Sequence, residues 1–214
     1  MFDPGSSFGG RMIVATTTGA VYAIDHTGAV TPIHSFGFDT EGTDIVGSTF
    51  GPYNGYLLTS SEGACQVNLV SPLGAVVNVT SSLCGAETVA YVPTNLDPLD
   101  PLQGFYGANY ANNIIKAAGG EFIKPYSQLG GRKLIGDAIV TVEVPVNGGV
   151  YDIHFNGSGF DPLTLVGNYP NQPEDGIFVT KQRIEGTVPE PGSILLLGTG
   201  LLGLGGALRR KLHR

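Results

Sequence analysis

Tryptophan is absent from this 214-residue chain, cysteine and methionine occur twice each, and charged residues make up only 14%. An average soluble protein carries roughly 25% charged residues, so long helices with charge-laced solvent faces are not expected. Basic groups are scarcest where a nucleic-acid ligand would need them. Residues 1–186 hold seven Lys and Arg against 17 Asp and Glu. Such a body repels phosphate backbones and has no basic stripe, which excludes nucleic-acid binding. The start Met1-Phe2-Asp3-Pro4-Gly5 has neither a basic n-region nor an apolar h-region, so no secretory signal peptide is visible there. What is present instead is 33 Gly, 14 Pro and 42% hydrophobic residues. That profile describes many short strands joined by tight turns around a real core.

The composition changes abruptly after Gly186. Thr187-Val188-Pro189-Glu190-Pro191-Gly192-Ser193 leads into Ile194–Leu208, 15 residues without a charge, and a basic cluster of Arg209, Arg210, Lys211 and Arg214 closes the chain. Charge-free apolar sequence followed by cations reads as a C-terminal membrane helix with its basic stop on the cytoplasmic side. Ile194, Leu195, Leu196, Leu197, Leu201, Leu202, Leu204 and Leu208 would supply its apolar surface. The run is shorter than the usual span of about 20 residues. Its five glycines would make a poor soluble helix. Gly198-Thr199-Gly200-Leu201-Leu202-Gly203 matches a dinucleotide fingerprint, but no βαβ unit surrounds it and we reject that reading.

These three parts in order, Val188-Pro189-Glu190-Pro191, a Leu/Gly run and a terminal Arg cluster, resemble the PEP-CTERM sorting signal of Gram-negative bacteria that make exopolysaccharide. The resemblance covers residues 187–214 and implies that an exosortase recognises Pro189, Glu190 and Pro191. It also implies passage through the inner membrane to the cell surface or exterior. Export conflicts with the missing signal peptide, and a chain that begins downstream of its natural start is the expected resolution. In an exported protein, Cys65 and Cys84 are expected to form one disulfide, with two buried thiols as the alternative.

The body, residues 1–186, shows a period. Val21–Val30, Gln66–Val76 and Asn113–Phe122 each read as an alternating strand, a turn ending in glycine, and a second strand. The turn glycines Gly28, Gly74 and Gly120 are 46 residues apart, and Val150–Gly157 is a looser fourth copy. A period near 45 with several strands per copy predicts an all-β fold of about four propeller-like, four-stranded blades. The phrasing resembles blades of NHL and gluconolactonase-like propellers. That count implies an incomplete propeller, and a β-sandwich with similar hairpins is the alternative.

Few residues in the body suggest chemistry. Gly5-Ser6-Ser7-Phe8-Gly9 matches a nucleophile elbow in letters but leads into a strand rather than a helix. His26, His34, His154 and His213 have no partner at zinc-ligand spacing. Asp97-Pro98-Leu99-Asp100-Pro101 lacks a calcium-loop pattern and reads as a stiff connection. Asp44, Glu87 and Glu174 precede β-rich runs at spacings of 43 and 87 residues. The propeller resemblance implies that such acids converge on a central channel, where a divalent cation such as calcium would offset their repulsion. Solvated or turn-capping acids are the alternative.

The expected function is therefore non-enzymatic: an exosortase-sorted envelope or matrix protein whose β domain binds exopolysaccharide or another envelope component, without a cofactor. A cation-dependent lactonase or other hydrolase on a propeller scaffold is the alternative.

Overall fold

The computed structural model describes residues 1–3, 5, 7–111, 113–143, 148–170 and 172–185. The chain divides into two compact units, Met1–Thr180 and Lys181–Arg214. The first is all-β apart from short helical turns. Its strands are β1 (Met12–Ala15), β2 (Ala20–Ile24), β3 (Val30–Ser35), β4 (Thr43–Ile45), β5 (Leu57–Ser61), β6 (Gln66–Val70) and β7 (Val76–Thr80). They continue with β8 (Ala86–Tyr91), β9 (Gly104–Asn109), β10 (Ile114–Ala118), β11 (Ala138–Val142), β12 (Gly149–Ile153), β13 (Thr164–Gly167) and β14 (Pro173–Val179). A short helix, α1 (Gly119–Ile123), follows β10, and α2 (Lys181–Glu185) opens the second unit. No helix among the described residues is long and apolar enough to cross a membrane. The expected membrane segment lies outside the described residues.

The strands form four antiparallel sheets, ordered β1-β2-β3, β4-β5-β6-β7, β8-β11-β12-β13 and β14-β9-β10. Two have the expected four strands and two have three. The chain fills the first two sheets consecutively, then interleaves the others, because the β9–β10 hairpin is inserted between β8 and β11. Pro32 lies in the outer strand β3, where its missing N–H breaks no ladder.

Alternating side chains bind the sheets to one another. Leu57 of β5 joins Phe8, Ile13 and Val21 in a core between the first and second sheets. Its neighbour Leu58 joins Val89 and Val140 in a core between the second and third. Ile139 of β11, flanked by Ala138 and Val140, turns instead to Phe105 and Phe178 in a core between the third and fourth. The two central sheets thus have packed neighbours on both faces, which explains the unbroken burial of β5 and β11, polar residues included.

The 46-residue spacing has a concrete basis in one turn made twice. Asp25 Oδ1 accepts from the N–H groups of Thr27 and Ala29. Ser71 Oγ accepts from those of Leu73 and Ala75. Gly28 and Gly74 both take a φ of 85°. The expected third copy at Gly120 is not this turn. Position 117 carries Ala instead of a side-chain acceptor, and Gly120 lies in α1. The equivalent turn stands earlier, where Asn109 Oδ1 accepts from Ala111 and Asn113 N–H between β9 and β10. The looser fourth copy is closed by Asn156, whose Oδ1 accepts from Ser158 and Gly159 N–H.

Cys65 and Cys84 are joined by a disulfide across the base of the β6–β7 hairpin. Closing a loop of this size contributes about 3 kcal/mol in the chain-entropy account. It accompanies a left-handed Cys65, φ 58°, a conformation that costs roughly 1–2 kcal/mol for a residue with a Cβ.

The two turn glycines yield a differential prediction. A Cβ at Gly28 meets nothing within 4 Å, whereas one at Gly74 would lie 2.3 Å from the Ile33 carbonyl oxygen. Gly28→Ala should cost roughly 1 kcal/mol, from backbone strain alone. Gly74→Ala should cost at least about 1 kcal/mol more, because the clash is with backbone. Urea unfolding of the two variants measures the difference.

Candidate functional site

The ends of several strands bring acids together at one place. Glu41 precedes β4, Glu62 follows β5, and Glu87 is the second residue of β8. Glu143 follows β11 and Glu174 is the second residue of β14. One carboxylate oxygen from each of Glu41, Glu62 and Glu87 lies within 4.8 Å of the others. Glu143 is hydrogen-bonded to Glu62 and to Gln172, and Glu174 to the exposed Tyr110. Lys124 and Arg132 spend their charges elsewhere, on Glu121 and on Asp137 and Asp152.

Main-chain contacts hold the cluster in place. Ser60 Oγ donates to the Glu87 carbonyl and accepts from Gly42 N–H at 3.0 Å, clamping the entry of β4 against β8. Thr88 Oγ1 donates to the Glu174 carbonyl at 3.3 Å, which fixes β14 beside β8. The Glu62 carbonyl accepts from both Cys65 and Gly85 N–H, so the disulfide-linked segment also positions this acid. Like charges held this close resist ionisation. Burial, then the Glu41 charge, pushes the Glu87 carboxyl up to about 8. Burial, then the hydrogen bond with Glu62, pushes Glu143 up to about 7. Glu41 is also raised, chiefly by burial and the Glu62 charge. The group can store protons, or its oxygens could surround a hard cation.

Of the three acids singled out from sequence, the structure gathers Glu87 and Glu174 here and places Asp44 elsewhere. Asp44 Oδ2 accepts from Tyr91 N–H at 2.8 Å, tying β4 to β8 through a main-chain contact. Glu41, Glu62 and Glu143 were missed because they follow or precede strands at no fixed period. Only their acidity and their places at strand ends could have flagged them. Pro189, Glu190, Pro191, the apolar run and the terminal basic cluster all lie outside the described residues.

A second polar centre pins the segment after α1 to the third sheet. Arg132 reaches two buried acids, Asp137 and Asp152, the latter at 2.6 Å. His154 Nδ1 lies 2.6 Å from Asp137 Oδ1. Spacing alone had left His154 without a carboxylate partner. Burial pushes Asp137 up to about 7, against the opposing pull of His154 and Arg132. Oδ1 of Asp152 is buried and has no hydrogen-bond partner among the described residues.

The class of protein this defines is an all-β domain of four antiparallel sheets with an acid cluster at the strand ends. A family model of the PEP-CTERM protein-sorting motif matches residues 187–211, so the chain carries the sorting signal of exosortase-handled secreted and cell-envelope proteins. No curated protein matches the chain. Among solved structures it is similar to a selenomethionine-substituted virginiamycin B lyase from Staphylococcus aureus, at 8% identity and a TM-score of 0.33. That similarity covers 78% of this chain and 59% of the lyase chain, so the chain spans about three fifths of the lyase structure. A likeness at that score carries no argument about activity.

The acid cluster makes stability depend on pH with a definite sign. Glu87 binds its proton more tightly when folded than when unfolded, since its value rises from 4.5 to about 8. Its contribution is therefore retained below pH 4.5 and lost progressively as pH rises toward 8. The melting temperature should fall between pH 5 and pH 8 in metal-free buffer. Glu87→Gln should flatten that decline, and an equally steep decline in the variant would refute the assignment.

Proposed function

We propose that this chain is an exported envelope protein whose β domain is a propeller-like binding module, delivered to an exosortase by its tail. The observation that carries the reading is the sorting motif over residues 187–211. In this reading Ile194–Leu208 anchors the chain in the inner membrane of a Gram-negative cell with the basic cluster inside, and processing near Pro189-Glu190-Pro191 follows. The mature body then meets exopolysaccharide or another envelope component outside. Four stacked antiparallel sheets support the propeller-like description. The disulfide supports an oxidising destination. Replacing Pro189, Glu190 and Pro191 with Ala should leave the body folded and block its processing in an exosortase-bearing host. Immunoblotting of cell and medium fractions reads the outcome, and unchanged release of the mature body would sink the proposal.

A second reading, a divalent-cation-dependent lactonase, draws on the approach of Glu41, Glu62 and Glu87. It requires a cation held there to polarise the lactone carbonyl. Calcium at about 100 times its Kd would stabilise the fold by about 2.7 kcal/mol, or several degrees of melting temperature at this size. As a binding module the protein should show little or no rise and no lactone turnover. A rise of several degrees, lost in a Glu41→Gln, Glu87→Gln double variant and accompanied by hydrolysis, would favour the enzyme instead.

A further inference from the structure

The seams between neighbouring sheets end differently at their outer strands. Between the first and second sheets the seam is shut, because the Gly74 turn lies directly against the Ile33 carbonyl. Between the second and third sheets it stays open. There the end of β7, the β7–β8 loop and the β12–β13 loop border a wedge of about 700 Å³. Its lining mixes three rings, Tyr151, Phe160 and Pro162, with the polar groups of Thr80, Ser82 and Asp161.

We infer that this wedge binds a neutral saccharide of one or two pyranose rings, an inference that rests on the binding-module reading above. The volume falls within the roughly 300–1,000 Å³ of small-ligand sites. Charge removes several alternatives. The lining residues include no lysine or arginine, and the body is strongly acidic, so phosphates and carboxylates are repelled. The single lining carboxylate, Asp161, is too few ligands for a hard cation. An acyl chain would strip water from Thr80, Ser82 and Asp161 and offer their remaining lone pairs and protons no replacement partner, at a cost for each. A pyranose satisfies both kinds of surface. Its C–H faces pack on rings, and its hydroxyls donate to Asp161 while exchanging hydrogen bonds with the Thr80 and Ser82 hydroxyls.

The wedge is also held in shape before any ligand arrives. Asn156 Nδ2 donates to Asp161 Oδ1 at 2.6 Å, and the Thr80 and Ser82 hydroxyls lie 3.1 Å apart. Phe160 stacks on Tyr53 with centroids 5.8 Å apart and an interplanar angle of 22°. At the wedge floor, Leu83 N–H donates to the Cys65 carbonyl at 3.1 Å, next to the disulfide. Groups fixed in this way lose little freedom on binding.

Isothermal titration of the full chain in a zwitterionic, sugar-free detergent tests the site, with maltotriose, cellotriose and laminaritriose as probes. Decanoate and glucose 6-phosphate serve as controls. At least one trisaccharide should bind with a Kd of about 1 mM or tighter, and neither control should. Asp161→Asn should weaken binding about tenfold. Ser82→Trp, at an exposed position where the larger side chain need not disturb the core, should abolish it with an unchanged melting curve. Failure of all three sugars, stronger binding of either control, or full affinity in both variants would overturn the inference. Tail processing is scored separately, so a failed titration with normal processing rejects the wedge and leaves the sorting reading intact.

Discussion

Leu57 and Leu58 are neighbours in the chain and belong to different cores, and this splitting of successive side chains is the constraint on which the domain depends. Strand side chains alternate faces with a period of two, so a one-residue slip of β5 would exchange its whole set between the two seams. The central sheets therefore fix their own register and that of both neighbours. Buried polar groups there are answered within a sheet or across to the next, as when Ser60 donates to the Glu87 carbonyl. Asn68 is 3% exposed, and it accepts from Asn78 Nδ2 at 2.9 Å while donating to Gln66 at 3.2 Å. The outer sheets face a core on one side only, and β2 and β10 alternate in burial accordingly.

The same stacking creates the acid cluster. β8 packs against β4, β5 and β14, so residues at the ends of those strands must meet. Their backbones are clamped by Ser60 and Thr88 before any side-chain repulsion counts. Hydrophobic burial of large side chains is worth roughly 1.5–3 kcal/mol each, and the seams contain many of them. Repulsion among a few half-exposed carboxylates is smaller, and it is relieved by proton uptake. That ordering of magnitudes explains why Glu41 and Glu87 share a hydrogen bond rather than separate, with both carboxyls held above their ordinary values.

Much of this was legible from residues, for identifiable reasons. The all-β class followed from short alternating strands and turn residues, and the 46-residue spacing marked a real repeated turn, Asp25–Ala29 and Ser71–Ala75. Counting glycines then led to Gly120, whereas the physical requirement was an acceptor at the first turn position. Ala117 fails that requirement and Asn109 meets it, with Asn112 in the sequence where Gly28 and Gly74 stand. The interleaving of β9 and β10 left no local signal, because a strand's sheet partner depends on contacts distant in sequence. For the acids, period reasoning pointed to Glu87 and Glu174, which lie beside Glu41 and Glu143, and to Asp44, whose Oδ2 accepts from the Tyr91 N–H.

The disulfide and the tail bear on the same question from unrelated physics. The tail is an address, a rigid Pro-Glu-Pro followed by an apolar run and cations, and it carries no information about the body. The disulfide belongs to the body's architecture: it closes the β6–β7 hairpin, and the segment it fixes supplies the Glu62 carbonyl contacts and the Leu83 side of the open seam. Reducing conditions would dissolve that link and release a left-handed Cys65 from its constraint. A fold that builds one wall of this open seam on a bond stable only in an oxidising compartment is suited to the destination the tail specifies. Neither feature depends on the other in sequence or in structure, so their agreement is evidence about compartment rather than a single signal counted twice.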